Sequence, residues 1–320
     1  MSFFKTILNE PHDSISGLTE ELKAIYIQNQ YHDNSIIVVS NTLYEANTLV
    51  QRLKNYTDNV LFFPMDDFLT SEALAISPEF KTTRLETIDS LLKNNHQIVV
   101  TNLMGYLRYL PKKELFKNKI LKLQLNKDYN MKELIEKIHK LGYIKETVTS
   151  ITGNYSTRGF IIDIFPVKEE HPVRLEFWGD TLDSIKYFDE NTQITISNLN
   201  EIDILPNTEF IAENNDDIEK HYKLPKYTSV TNINDYLDFP LVIYNNYDEL
   251  KKGYELLFDE IENYNTTQGQ QEKYMNNLDE IKEISINYLL SFNNGNASAF
   301  TIQLTPKKNN AIASTIQIKL

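Results

Sequence analysis

The side chains best suited to chemistry in this chain are Arg158, Arg174 and the single tryptophan, Trp178. They stand in Tyr155-Ser-Thr-Arg-Gly-Phe-Ile-Ile-Asp-Ile-Phe-Pro166 and Pro172-Val-Arg-Leu-Glu-Phe-Trp-Gly-Asp180, followed by Asp183-Ser-Ile-Lys-Tyr-Phe-Asp189. Two guanidinium groups beside an indole suit the recognition of another protein. Forked N–H donors pair with carboxylates, and the indole fills an apolar slot between them. Alternation predicts a strand over 173–178, with Val173, Leu175 and Phe177 on one face and Arg174, Glu176 and Trp178 on the other. An ordinary solvated sheet face with one partly covered tryptophan reads the same way. Periodicity within a strand does not set register between strands, so it leaves open whether Arg158 shares the face of Arg174. Glu176, on that face, is placed to orient an arginine rather than to touch a partner.

Other chemistries lack their residues. A phosphate-binding loop needs glycine-rich backbone and a lysine, G-x-x-x-x-G-K-[ST]. Its place before the first helix holds Ser16-Gly-Leu-Thr-Glu-Glu-Leu22 instead, with two acids that repel a triphosphate. Val60-Leu-Phe-Phe-Pro-Met-Asp-Asp67 resembles a strand ending in magnesium-binding carboxylates, but without that loop Asp66 and Asp67 are expected to cap the next element or face solvent. The six histidines, His12, His32, His96, His139, His171 and His221, are far apart, with no two at ligand spacing on one element. No G-x-S-x-G elbow occurs. Glu169-Glu170 and Asp216-Asp217 read as a turn and a helix start. The expectation is no catalytic residue, no metal site and no bound cofactor.

The elements that must hold the arginines fall into two rhythms. Up to about residue 125 the chain alternates strand and helix. The mainly apolar runs 36–40, 60–63 and 97–101 suit buried parallel strands. Between them, one helix has Leu43, Ala46, Val50 and Leu53 on a stripe, and a second, over about 80–92, turns Leu85, Ile88 and Leu92 inward. A short helix follows near 104–110. This is the pattern of an open α/β sheet. After residue 126 an amphipathic helix with Leu134, Ile135, Ile138 and Leu141 leads into short strands at about 144–150, 160–166, 173–178, 184–189 and 201–206, a small α+β arrangement. The remainder mixes helix and strand. Its long helix carries Leu250, Tyr254, Leu257 and Ile261, with a polar loop expected over 263–271. The strand-like runs 299–304 and 315–320 close the chain and suggest a fragment of something longer.

Composition narrows the class. At 320 residues, two or three domains are expected. With 32 basic against 45 acidic residues, the net charge of -13 disfavours a free-standing duplex-DNA binder. The absence of cysteine removes disulfides, thiolate zinc sites and a cysteine nucleophile. No signal peptide or membrane span is legible, so a cytoplasmic location and no membrane partner are expected.

Asp66-Asp-Phe-Leu-Thr-Ser-Glu-Ala-Leu-Ala-Ile-Ser-Pro-Glu-Phe-Lys-Thr-Thr-Arg-Leu-Glu86, with Arg158–Pro166, Arg174–Asp180, Asp183–Asp189 and Thr192-Gln193, closely resembles the N-terminal region of the bacterial transcription-repair coupling factors (Mfd). The resemblance runs from about residue 14 to about 210 and weakens beyond. It is shared more distantly with UvrB, the damage-verifying subunit of nucleotide excision repair. It implies an α/β fold in three parts. Residues 1–125 would be a degenerate RecA/P-loop-like parallel-sheet domain (UvrB domain 1a-like, nucleotide loop lost). Residues 126–210 would be an inserted small α+β domain (domain 2-like, UvrA-binding), and 211–320 a further degenerate, truncated α/β domain (domain 1b-like).

The resemblance also assigns UvrA contact to Arg158, Arg174 and Trp178, the last in place of the family's usual phenylalanine. It implies a non-catalytic module that recruits UvrA and links stalled RNA polymerase to repair. Contacts with RNA polymerase and DNA, the ATP and magnesium of the translocase motor, and a C-terminal domain that masks the UvrA surface would all lie outside these residues. Two alternatives stand beside it. One is a UvrB-type ATP-dependent damage-binding subunit, disfavoured by the missing lysine loop, the missing aromatic hairpin after 60–63 and the acidic charge. The other is an intramolecular scaffold for the absent C-terminal domain.

Overall fold

The computed structural model describes residues 12–32, 34–67, 77–212, 221–269, 271–279, 289–293, 301–306 and 315–317. The chain begins β1 (His12–Ser16), α1 (Glu20–Tyr31), β2 (Ile36–Ser40), α2 (Leu43–Leu53), β3 (Val60–Phe63), α3 (Pro78–Lys93), β4 (Ile98–Asn102) and α4 (Leu103–Leu107). It continues with β5 (Leu110–Pro111), α5 (Lys113–Asn118), β6 (Leu121–Gln124), α6 (Met131–Lys140), β7 (Ile144–Lys145), β8 (Asn154–Arg158), β9 (Ile161–Ile164), β10 (Val173–Trp178), β11 (Thr181–Phe188), β12 (Thr195–Leu199), β13 (Glu201–Ile204) and β14 (Val230–Thr231). It ends with β15 (Leu241–Asn245), α7 (Tyr247–Gln268), β16 (Leu289–Asn293), β17 (Thr301–Pro306) and β18 (Thr315–Gln317). Residues 1–109 and 231–320 cluster into one unit, and residues 110–230 into another.

The first unit is built on a sheet ordered β18-β17-β1-β16-β15-β2-β4-β3. From β1 to β3 every neighbouring pair is parallel, while β17 and β18 run antiparallel at one edge. Continuous apolar runs form these strands because both faces are covered: all five residues of β2 and all five of β4 are buried. Side chains of Ala46, Leu49, Val50 and Leu53 from α2 join Ile36, Val38, Ile98 and Val100 in the core. Each of the valine, leucine and isoleucine side chains among them contributes about 1.5–3 kcal/mol on burial. The α/β class expected from the sequence is the observed one.

Two expectations are corrected here. Helix α3 turns Leu91 inward with Leu85 and Ile88, and Leu92 is only partly buried. The segment 263–268 is helix rather than loop. The threonines Thr266 and Thr267 donate to the Glu262 and Asn263 carbonyls, and Gly269 ends the helix in the left-handed region at φ 63°.

The second unit holds a sheet ordered β12-β11-β10-β9-β8-β7, antiparallel except for the β7–β8 pair. Its inner face presents Tyr155, Ile162, Ile164, Val173, Leu175, Phe177, Leu182 and Ile185 to Leu134 and Ile138 of α6. The two-stranded ribbon of β6 and β13 adds Leu123, Ile202 and Ile204 to the same core. Strand β7 stops at Lys145, so most of the expected strand 144–150 is irregular, whereas β12 is an extra edge strand the apolar pattern did not mark. β12 is almost wholly exposed, so it carries no alternation to read.

A candidate protein-docking face

The outer face of the six-stranded sheet in the second unit gathers the residues singled out above. Arg158 lies opposite Ile161, Ile161 opposite Glu176, and Glu176 opposite Ser184. Directly opposed residues on neighbouring strands share a face. Arg158 therefore faces the same way as Arg174 and Glu176. Two tight reversals bring the exposed ends together: Gly159 at φ 60° joins β8 to β9, and Gly179 at φ 62° joins β10 to β11. Both conformations suit glycine, and a left-handed backbone there lets each hairpin close in two residues. The Phe177 N–H donates to the Phe160 carbonyl at 2.9 Å, extending the pairing to this end of the sheet. The second reversal is braced from outside, where Tyr129 N–H donates to Asp180 O at 2.7 Å and Thr181 Oγ1 to Asp128 Oδ1 at 2.6 Å.

Arg174 is held on three sides. Its Nε and Nη2 donate to Asp163 Oδ1 and Oδ2 at 2.7 and 2.8 Å, and Nη2 donates also to Gln193 Oε1 at 2.8 Å. Its guanidinium carbon lies 4.4 Å from the centre of the Phe188 ring. Its hydrogen bond to the Asp163 carboxylate pushes the Arg174 pKa above the usual arginine value, so the charge is permanent. Nη1 has no hydrogen bond to any described residue. The acid that orients Arg174 is Asp163, and Glu176 does a different job: it accepts from Lys186 Nζ at 2.6 Å and Ser184 Oγ at 2.7 Å. The Lys186 hydrogen bond holds the Glu176 carboxyl below the usual carboxylate range.

Arg158 is exposed, and its side chain has no ion-pair partner among the described residues. Trp178 is 83% exposed and Phe160 64% exposed. The face thus offers one unneutralised guanidinium, the unbonded Nη1 of a second, and two exposed aromatic rings. Desolvating it against a partner costs little for Arg174, whose charge is already matched, and gains apolar burial at the rings. The sequence reading missed Asp163, Phe188, Gln193 and Phe160. Asp163 was legible in principle as the acid between the arginine strands, but its pairing needed the register.

The remaining candidates resolve differently. Asp67 Oδ1 accepts from the Leu43 N–H at 2.7 Å and from Asn102 Nδ2 at 2.8 Å, capping α2, an earlier helix rather than the next element. No group of three metal-ligating side chains occurs among the described residues. Where a phosphate loop would lie, Thr19 caps α1, and Lys23 Nζ is bound at 2.8 Å by both Glu20 and Asn245. Asp216-Asp217 and residues 68–76 of the resemblance motif lie outside the described residues. No described helix is long and apolar enough to cross a membrane.

Residues 121–210 match the family model of the UvrB interaction domain, a span that contains the whole of this face. The chain is also similar to transcription-repair-coupling factors. It is 28% identical over 236 residues to that of Staphylococcus aureus (strain bovine RF122 / ET3-1), covering 72% of this chain and 20% of the relative. It is 31% identical over 211 residues to that of Staphylococcus haemolyticus (strain JCSC1435), covering 65% and 18%. It is 30% identical over 217 residues to that of Bacillus subtilis (strain 168), again covering 65% and 18%. The chain matches about a fifth of the length of these relatives.

Proposed function

From a chain that is homologous to transcription-repair-coupling factors over 65–72% of its length, with a segment matching the UvrB interaction domain, we propose that this protein is a non-catalytic recruitment module of transcription-coupled nucleotide excision repair. Its partner is UvrA, and its contact surface is the outer face of the second unit. The observation that carries this reading is the shared face of Arg158, Arg174 and Trp178, with the first exposed and unpaired and the last 83% exposed. A carboxylate on UvrA meets Arg158, an apolar pocket takes Trp178, and Arg174 offers Nη1. In the same reading the first unit is a RecA-like sheet without nucleotide chemistry, needing neither ATP nor magnesium. RNA polymerase and DNA engage other parts of a longer protein, whose C-terminal domain masks this same face.

The test is a pull-down of purified UvrA by wild type and by an Arg158/Arg174/Trp178 triple alanine variant. Capture by wild type alone supports the reading. Equal capture, or none by a well-folded wild type, overturns it.

A further inference from the structure

The cradle around Arg174 contains one member whose placement is costly and whose purpose the fold does not require. Gln193 sits at φ 62°, a left-handed conformation unfavourable for a residue with a side chain. The reversal between β11 and β12 holds it there. Asp189 Oδ1 accepts from the Asn191 N–H at 3.1 Å, the Thr192 N–H at 2.7 Å and Thr192 Oγ1 at 2.8 Å, and the Gln193 N–H donates to the Asp189 carbonyl at 2.8 Å. The Gln193 side chain is pinned at both ends, with Nε2 donating to the Glu190 carbonyl at 3.0 Å and Oε1 accepting from Arg174 Nη2 at 2.8 Å. The residue is exposed and belongs to no core cluster of this unit.

We propose that Gln193 is a positioning residue for partner recognition: it fills the second hydrogen of Arg174 Nη2 and so fixes Nη1 as the single donor edge presented to the partner. Asp163 alone satisfies Nε and one hydrogen of Nη2, which leaves the other hydrogen of Nη2 free to draw in water or a competing acceptor. With Gln193 in place, every guanidinium hydrogen except the pair on Nη1 has an internal acceptor, and the Phe188 ring lies against the guanidinium carbon. A preorganised donor loses less conformational freedom on docking than a loose one. The turn sequence Asp189-Glu-Asn-Thr-Gln193 is therefore part of the recognition apparatus although it lies on a neighbouring strand connection. This inference rests on the recruitment reading given above.

The test is calorimetric titration of purified UvrA with the full chain and its variants. Gln193→Gly suits φ 62° and should melt within about 3 °C of wild type. It should nonetheless bind about fivefold more weakly, the loss of one hydrogen bond to a charged group at a solvated edge. Gln193→Glu keeps an oxygen acceptor for Nη2 and should restore most of that loss. In an Arg174→Ala background, Gln193→Gly should have no further effect, because the partner of its side chain is gone. Wild-type-like binding by Gln193→Gly, or a full additional loss in the Arg174→Ala background, overturns the inference while leaving the recruitment reading intact. Failure of wild type to bind UvrA overturns both.

Discussion

Arg174 and Asp163 stand opposite one another on adjacent antiparallel strands and meet in a two-point bridge, Nε to Oδ1 at 2.7 Å and Nη2 to Oδ2 at 2.8 Å. Each side chain is 14% exposed, so the pair is shielded more than a surface ion pair and less than a core one. That position gives Arg174 two roles, in the stability of the sheet and in the shape of its outer face.

Arg174→Lys should reveal the first role. A lysine supplies a point charge but no planar fork, so Asp163 keeps at most one of its two bonds and Phe188 loses its stacked plane. A stability loss of about 1–3 kcal/mol is expected in urea unfolding, the cost of a part-buried acceptor left short of a donor. No change in the unfolding midpoint would show the bridge to be energetically idle.

Trp178 should behave in the opposite manner. At 83% exposure its ring contributes little to the folded state, and Trp178→Ala should alter stability by no more than about 0.5 kcal/mol. Its affinity for UvrA should fall by roughly ten- to a hundredfold, as for an aromatic anchor, while Trp178→Phe should be mild. A well-folded Trp178→Ala protein with undiminished UvrA affinity would remove the ring from the interface.

Acid should loosen the same face. The Lys186 hydrogen bond lowers the Glu176 carboxyl, and the Thr192 N–H lowers that of Asp189. Groups with depressed folded values stabilise fully above their unfolded values, about 4.3 for Glu and 3.9 for Asp, and lose that contribution as pH falls through the lower folded values. The difference in Tm between wild type and Glu176→Gln should be constant above about pH 5 and shrink below about pH 4. A difference that instead grows on acidification would reverse the assigned sign.

Nucleotide should find no purchase on the first unit. Lys23 is 6% exposed, with its ammonium already bonded to Glu20 and Asn245, and Glu20 and Glu21 stand in the first turn of α1. A fluorescence titration with ATP is expected to show no saturable binding in the micromolar range. Saturation there would favour the UvrB-type, ATP-using alternative.

Alternation along β10 was enough to separate Val173, Leu175 and Phe177 from Arg174, Glu176 and Trp178, because side chains on a strand must alternate whatever lies beside it. The buried runs of β2 and β4, the half-buried run of β3 and the stripes of α2 and α6 were legible for a similar reason, since hydrophobic spacing follows the local backbone period. What lay beside each strand was another matter. The face of Arg158, the choice of Asp163 rather than Glu176 as the partner of Arg174, and the reach of Gln193 all depend on register across several strands and on a left-handed turn. The parallel pairing of β15 with β2 joins residues some two hundred positions apart in the chain, and no local signal specifies it. Register and non-local pairing are set by the mutual burial of whole faces, a sum over contacts between distant segments, so tertiary structure decided them.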